Sequence, residues 1–439
     1  MREMKNSGVE WIGEMPSEWI RTSLLNVLST KISDGPHETP ILLDKGIPFI
    51  SVDSLNNSES IDFSVVKKFI SEEDYLRYYK KASLTKGDIL FSKAATIGKT
   101  AIVGDEKFMV WSPIAIIKPN MSRCNNKYIY YILNCSGLIK QISLMGSHNT
   151  QINVGMRELE KVQIPVPSIP EQHRIADFLD EKCAKIDAVI EKQKQVIEKL
   201  KEYKLSVITE AVTKGLDPTV PMKDSGVEWI GEIPEGWKKI KLNNCCTFHN
   251  GDRSSNYPSP EDFSDIGIPF IGADGLNDFS KVNFLTAKKI SLEKYGIMGG
   301  LKIKRGDILY TLRGSTIGKN SICNFDEGTV ASSLMGIRII ENGELSSVFL
   351  SYILNSKIEF IQRDVCINGS TAPNLSAEDV KQFFVFLPGK KEQEDIIVFL
   401  DKKCHCIDSA INKKQSIVEK LTEYKKSLIY EVVTGKREV

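Results

Sequence analysis

The chain is short of the residues that usually announce chemistry. Its five histidines, His37, His148, His173, His249 and His405, do not recur at matching places, so no duplicated catalytic centre uses them. Its nine cysteines are odd in number and lack the paired C-x-x-C spacing of a zinc site. The nearest candidates are Cys245-Cys246 and Cys404-His405-Cys406, and residues two apart on a helix face different ways. Reduced thiols and no metal are expected. Long apolar runs are missing too: nothing approaches the roughly 18 residues that would cross a bilayer. The opening "MREMKNSGVEWIGE" has no apolar segment of an export signal, so a cytoplasmic protein is expected. Nor does one sign of charge dominate. The 58 basic and 57 acidic residues leave a net charge of +1, which neither requires nor excludes a nucleic-acid partner.

Enzyme signatures are absent as well. "IGKT" at residues 97–100 suggests a phosphate loop, but the glycine needed five residues earlier is Lys93, and the second copy has Arg313 nearby. A tight turn between strands is the better expectation. No glycine-rich AdoMet loop and no N/D-P-P-Y/F motif occurs. Asp88 and Asp307 sit in matching turns, without the partner carboxylates of a metal-dependent nuclease. The chain is therefore expected to carry out no reaction itself.

What is present is duplication. "SGVEWIGEMPSEW" at residues 7–19 returns as "SGVEWIGEIPEGW" at 225–237. "GIPFI" occurs at 46–50 and 267–271. "KGDILFSKAATIGK" (86–99) returns with one insertion as "RGDILYTLRGSTIGK" (305–319), and "YIYYILN" (128–134) as "FLSYILN" (349–355). The strongest echo begins at Glu171, "EQHRIADFLDEKCAKIDAVIEKQ", and returns at Glu392 as "EQEDIIVFLDKKCHCIDSAINKK". Segments 51–85 and 272–304 share little, and neither do 100–127 and 320–348. A framework has been kept while its inserts have diverged.

The closing segments read as long helices. Ile175, Leu179, Ile186, Ile190, Ile197, Leu200 and Val207 keep a three/four spacing, as do Ile407, Ile411, Val418, Leu421 and Leu428. Ser168 with Glu171 fits a capping box, Gly389 with Glu392 a weaker one, and Gly215 and Gly435 are placed to stop the helices. Roughly 43 residues at 1.5 Å each make a rod of about 65 Å. Such a rod needs a partner: either the other copy, antiparallel about a pseudo-two-fold axis, or its own globular part. Sustained heptads favour the paired rods. The seam would be built from Ile186, Ile190, Ile197, Leu200, Ile407, Ile411, Val418 and Leu421, interrupted by Gln193 and Lys414. The remainder reads as compact α+β. "GIPFISV", "GDILFS", "TAIV", "AIIKP" and "KVQIPVP" look like strands, and "SEEDYLRYY" and "NKYIYYILN" like short helices. The boundaries expected are a first α+β domain over 1–166, a central helix over 167–215, a second α+β domain over 216–387 and a closing helix over 388–439. The fold class is thus two tandem pseudo-symmetric α+β domains joined by two long antiparallel coiled-coil helices.

The paired openings, the "GDIL…TIGK" blocks and the "PVPSIPEQHRIADFLD" junction, present twice over essentially the whole chain, resemble the specificity subunit of type I restriction–modification enzymes. The resemblance implies two target-recognition domains, each reading one part of a split, non-palindromic DNA site. It implies long helices that act as spacer and as docking surface for two methyltransferase subunits. AdoMet is then expected on those partners, ATP and Mg on the motor-nuclease (restriction) subunits, and no cofactor on this chain. In that setting Lys93, Lys99, Arg313 and Lys319 become candidates for phosphate contacts. The polar loops "GSHNTQ" (146–151) and "NGSTAPN" (368–374) supply Asn149, Gln151 and Asn368 for base edges. Arg253 is a candidate in the second half only. Trp11, Trp19, Trp229 and Trp237 are expected to pack rather than to stack on bases.

Overall fold

A computed structural model describes the chain apart from residues 1, 57–58, 95, 146–152, 277–280, 286, 342 and 368–373. It divides into two compact units, Met1–Lys194 with Ser416–Val439, and Gln195–Gln415. Both division points fall inside the long helices instead of at their ends. The physical reason is that each helix buries its two ends in different hydrophobic cores.

Unit 1 starts with a hairpin of β1 (Met4–Asn6) and β2 (Glu14–Pro16), followed by β3 (Ile20–Ser23), β4 (Ser33–Asp34), β5 (Ile47–Ile50), β6 (Phe69–Ile70) and α1 (Glu72–Tyr79). Next come β7 (Ile89–Ser92), β8 (Thr100–Ile102), β9 (Met109–Val110) and β10 (Ile114–Ile117). Helices α2 (Asn126–Leu133), α3 (Ser136–Met145) and α4 (Met156–Lys161), strand β11 (Gln163–Val166) and the long α5 (Ile169–Lys214) complete the run. The central sheet is antiparallel in the order β4-β10-β7-β8; a smaller one runs β6-β5-β9, and β11 pairs with β3. All residues of β7 and β10 are buried. Ile89, Phe91, Ala115 and Ile117 face one core, while Leu90, Ile114 and Ile116 face another. Two-sided burial explains why these strands read as unbroken apolar runs.

Unit 2 repeats the plan. A hairpin of β12 (Met222–Asp224) and β13 (Glu232–Pro234) precedes β14 (Lys238–Lys241), β15 (Cys246–Asn250), β16 (Phe263–Ser264), β17 (Ile268–Ile271), β18 (Lys288–Ile290) and α6 (Leu292–Ile297). Then follow β19 (Ile308–Thr311), β20 (Asn320–Ile322), β21 (Thr329–Val330), β22 (Leu334–Ile339), α7 (Ser347–Leu354), α8 (Lys357–Cys366), α9 (Ala377–Gln382), β23 (Phe384–Leu387) and α10 (Lys390–Val433). Its central sheet runs β15-β22-β19-β20, and its second sheet has one strand more, β16-β18-β17-β21. The strands and short helices expected from the sequence are all present, and the fold is mixed α+β, built twice.

Within each unit the two long helices run antiparallel. In unit 1 Lys425 meets Asp187 at 2.6 Å, while the earlier Phe178 lies 5.9 Å from the later Arg437. In unit 2 Lys204 meets Asp408 at 2.8 Å, and Gly215 lies against Glu392. Seam residues Ile186, Ile190, Val418 and Leu421 of unit 1, and Ile197, Leu200, Ile407 and Ile411 of unit 2, are buried or half-buried. Gln193 interrupts that seam with a buried side-chain oxygen that, among the described residues, accepts no hydrogen bond. Gly215 and Gly435 follow the helices with φ of 73° and 74°, a left-handed conformation that ends a helix at little steric cost.

Each helix start is clasped by its globular part. Trp19 Nε1 donates to Glu171 at 3.2 Å, and Trp237 Nε1 to Glu392 at 3.0 Å. Gln172 accepts from the Asn125 backbone N–H at 2.8 Å, as Gln393 does from Ser346 at 2.9 Å. The Tyr131 hydroxyl donates to Asp180 at 2.6 Å, and that of Tyr352 to Asp401. This corrects the capping-box expectation. Glu171 spends its carboxylate on Trp19 and on Arg2, 2.6 Å away, because a tryptophan N–H buried in the core must find an acceptor.

Candidate nucleic-acid interface

Strand register places the candidate residues. In unit 1 Asp34, Ala115, Phe91 and Thr100 form one row across the central sheet. In unit 2 the same row is Asn250, Met335, Tyr310 and Asn320. Chain leaving this row therefore emerges at one edge of the sheet in each unit. The loop after β4 carries His37 there, the turn between β7 and β8 carries Lys93 and Lys99, and the segment before α4 closes on it through the Val154 N–H to Lys93 carbonyl bond, 2.9 Å. In unit 2 the corresponding pieces carry Arg253, Arg313 and Lys319, and Leu375 N–H bonds the Leu312 carbonyl at 2.9 Å.

These matching hydrogen bonds correct the sequence pairing of Lys93 with Arg313. Lys93 corresponds to Leu312, and Arg313 to Ala94; each of the latter bridges an asparagine, Ala94 to Asn153 and Arg313 to Asn374. The inserted residue comes after this point, so the cations fall one place apart.

The side chains at the two edges are used differently. Lys93 is only 7% exposed, and its ammonium lies 3.2 Å from Asp34. That oxygen also lies 3.2 Å from His37 Nε2, whose side chain is 73% exposed. Lys93 thus faces an internal carboxylate, whereas Arg253 and Arg313 are exposed. Lys99 and Lys319 are half-buried at equivalent turn positions, and the Lys99 ammonium donates to the Val52 carbonyl at 3.3 Å. The turns themselves are hairpins: Gly98 N–H returns to Ser92 O at 3.0 Å and Gly318 N–H to Thr311 O at 2.9 Å. Both glycines have positive φ, 92° and 85°, as such a turn requires. "IGKT" is thereby accounted for as a hairpin turn.

Arg253 sits on a braced loop. Asp252, 4% exposed, accepts from the backbone N–H groups of Ser254 at 2.7 Å and Gly299 at 2.8 Å. The Ser254 bond foremost holds its carboxyl below the ordinary range. Asn149, Gln151 and Asn368 lie outside the described residues. His37 and Asp34 were missed by sequence reasoning. The signal was the offset of three residues between strand end and candidate, His37 after Asp34 as Arg253 after Asn250, and it is visible only once the register is known.

Two other features have structural roles. Asp88 accepts from Thr85 N–H at 2.8 Å and pairs with Lys118; Asp307 accepts from Lys304 N–H at 2.8 Å and binds Arg338 by two bonds of 2.7 Å. These aspartates close turns and tie strands. Cys404 is buried and Cys406 exposed, on different faces of α10. Trp11, Trp19 and Trp237 are buried in the cores, and Trp229 packs on Phe384 with ring centres 6.2 Å apart.

Comparison with known proteins matches the same two regions. The model of the type I restriction modification DNA specificity domain covers residues 36–199 and again 234–419. A Methanocaldococcus jannaschii protein named for the specificity subunit of the type I restriction enzyme MjaX is 26% identical, over 97% of this chain and 95% of its own. The EcoBI specificity subunit of Escherichia coli is 22% identical over 99% and 89%. A solved chain from work on complex assembly and conformational transition of the type I R-M system superimposes with a TM-score of 0.68 at 14% identity, covering 96% of this chain and 99% of that one. With both of its repeats matched and most of its length spanned, the chain belongs to the type I restriction modification DNA specificity family.

Proposed function

We propose that the chain reads duplex DNA as two separated half-sites, one with each unit, and carries the catalytic subunits of a type I restriction–modification enzyme without doing chemistry itself. The observation that carries this reading is a kept framework with changed edges. The Trp–Glu, backbone–Gln and Tyr–Asp contacts of the helix clasps recur in both units, whereas the loops at the sheet edge differ. Two unlike readers built on one repeated framework suit a bipartite, non-palindromic target.

In this reading residues 1–166 and 216–387 are the recognition domains. The helices 167–215 and 388–439 set the spacer and dock two methyltransferase subunits. AdoMet resides on those subunits, and ATP and Mg on the restriction subunits that join them, in the cytoplasm. Lys99 and Lys319, alike in both units, hold phosphates. Lys93 steadies the edge through Asp34, Arg253 contributes in the second unit, and Asn149, Gln151 and Asn368 face base edges.

Co-expression with the methyltransferase subunits in a methylation-free host, followed by mapping of methylated adenines, tests it. A bipartite motif is expected, and exchanging residues 20–160 for another recognition domain changes one half of it only. A continuous motif, a change in both halves, or methylation by this chain alone overturns the proposal.

A further inference from the structure

Arg313 is held in a way that no other candidate cation is. It follows β19 by two residues and is exposed, yet its backbone forms an isolated bridge with Asn374. Its Nε donates to the Asn374 side-chain oxygen at 3.0 Å. Among the described residues neither terminal amino group of Arg313 has a partner. A guanidinium can bond in bidentate fashion along its Nε side or across its two terminal nitrogens. Asn374 occupies the first, leaving the terminal fork of this exposed side chain unpaired among the described residues.

Two acceptors spaced to fit that fork occur on duplex DNA: O6 and N7 of guanine in the major groove, and paired phosphate oxygens. The comparison of units decides between them. A sequence-blind phosphate contact serves both halves equally, and Lys99 and Lys319 are indeed the same residue at the same turn position. Arg313 has Ala94 as its counterpart, beside an asparagine, Asn153, that has been kept. A side chain present in one reader and deleted in the other is where the two must read differently. We propose that Arg313, oriented by Asn374, reads a guanine in the half-site taken by unit 2. This assignment rests on the DNA reading proposed above.

The test uses the full chain with its methyltransferase subunits, as wild type, Arg313→Gln, Arg313→Lys and Asn374→Ala, with methylome mapping and binding to matched duplexes. Wild type is expected to require guanine at one position of one half-site. Arg313→Gln moves that preference toward adenine, because an amide matches adenine N6 and N7. Arg313→Lys keeps the charge but lowers discrimination at that position by roughly 5- to 150-fold, the loss of one bidentate pair. Asn374→Ala lowers it several-fold with the motif otherwise intact, and the other half-site stays unchanged in every variant. An unaltered motif with binding weakened equally on all sequences, and a salt slope reduced by about one, would make Arg313 a phosphate contact and overturn the assignment. An unaltered motif with unaltered binding overturns it as well. Failure of the wild-type complex to methylate any bipartite motif instead refutes the underlying function.

Discussion

Beneath the hairpin turn of the central sheet, the two units solve one packing problem in opposite ways. Unit 1 places Phe91, Leu138 and Ile142 there, each 0% exposed. Unit 2 places Tyr310, Glu359 and Arg363 at the same three positions, all buried. The Tyr310 hydroxyl donates to Glu359, Arg363 Nε lies 3.1 Å from that carboxylate, and Arg363 Nη1 donates to the Ile317 carbonyl at 2.7 Å. Burial pushes the Tyr310 hydroxyl well above its ordinary pKa, so it remains a protonated donor. The set differs as a whole because a lone charge at such a depth costs more than either complete set. The clasps, by contrast, keep the same Trp–Glu, backbone–Gln and Tyr–Asp contacts in both units. Interior chemistry was free to diverge; the grip on the long helices was not.

The largest effect expected from this contrast is on Glu359. Glu359→Leu strands Arg363 and should lower stability by about 3–5 kcal/mol in denaturant unfolding of the full chain. Importing the whole apolar set, Tyr310→Phe with Glu359→Leu and Arg363→Ile, should be neutral or gain up to about 4 kcal/mol. A triple variant as unstable as the single one would show that the three are not a self-contained set. An intermediate effect is expected at the clasps. Trp237→Phe removes the hydrogen bond to Glu392 and should cost about 1.5–3 kcal/mol. Trp19→Phe should cost less, since Arg2 still holds Glu171 at 2.6 Å; equal losses would discount the arginine. The smallest effect concerns Lys425 and Asp187, where the aspartate side chain is 54% exposed. A double-mutant cycle should return a coupling of about 0.2–1 kcal/mol that fades as salt is added. A coupling that salt leaves unchanged would argue for a pair shielded from solvent.

Much of this was legible in the sequence, for reasons that differ by region. The helices are periodic over many turns, and the buried strands are unbroken apolar runs bounded by glycine and proline, so both patterns survive reading by eye. The "EQ…FLD" junction was visible as a repeat but not as a device. Its partners, Trp19 for Glu171 and Asn125 for Gln172, lie 152 and 47 residues away in the chain, and only folding joins them. The edge was least legible. One inserted residue misaligned Lys93 with Arg313, and only the backbone bonds at Leu312 and Lys93 restore the register. Exposure was equally hidden: nothing in the sequence around Lys93 indicates that Asp34, far upstream, draws it inward.

Because Leu428, Ile429, Val432 and Val433 complete the core that holds Trp19 and Phe91, unit 1, although it begins first, cannot close on the ribosome until all of unit 2 and residues 428–433 have been translated. A stop codon placed just before residue 416 would therefore damage unit 1 although residues 1–194 are still made. The second unit, whose residues Gln195–Gln415 are contiguous, should be the one that still folds.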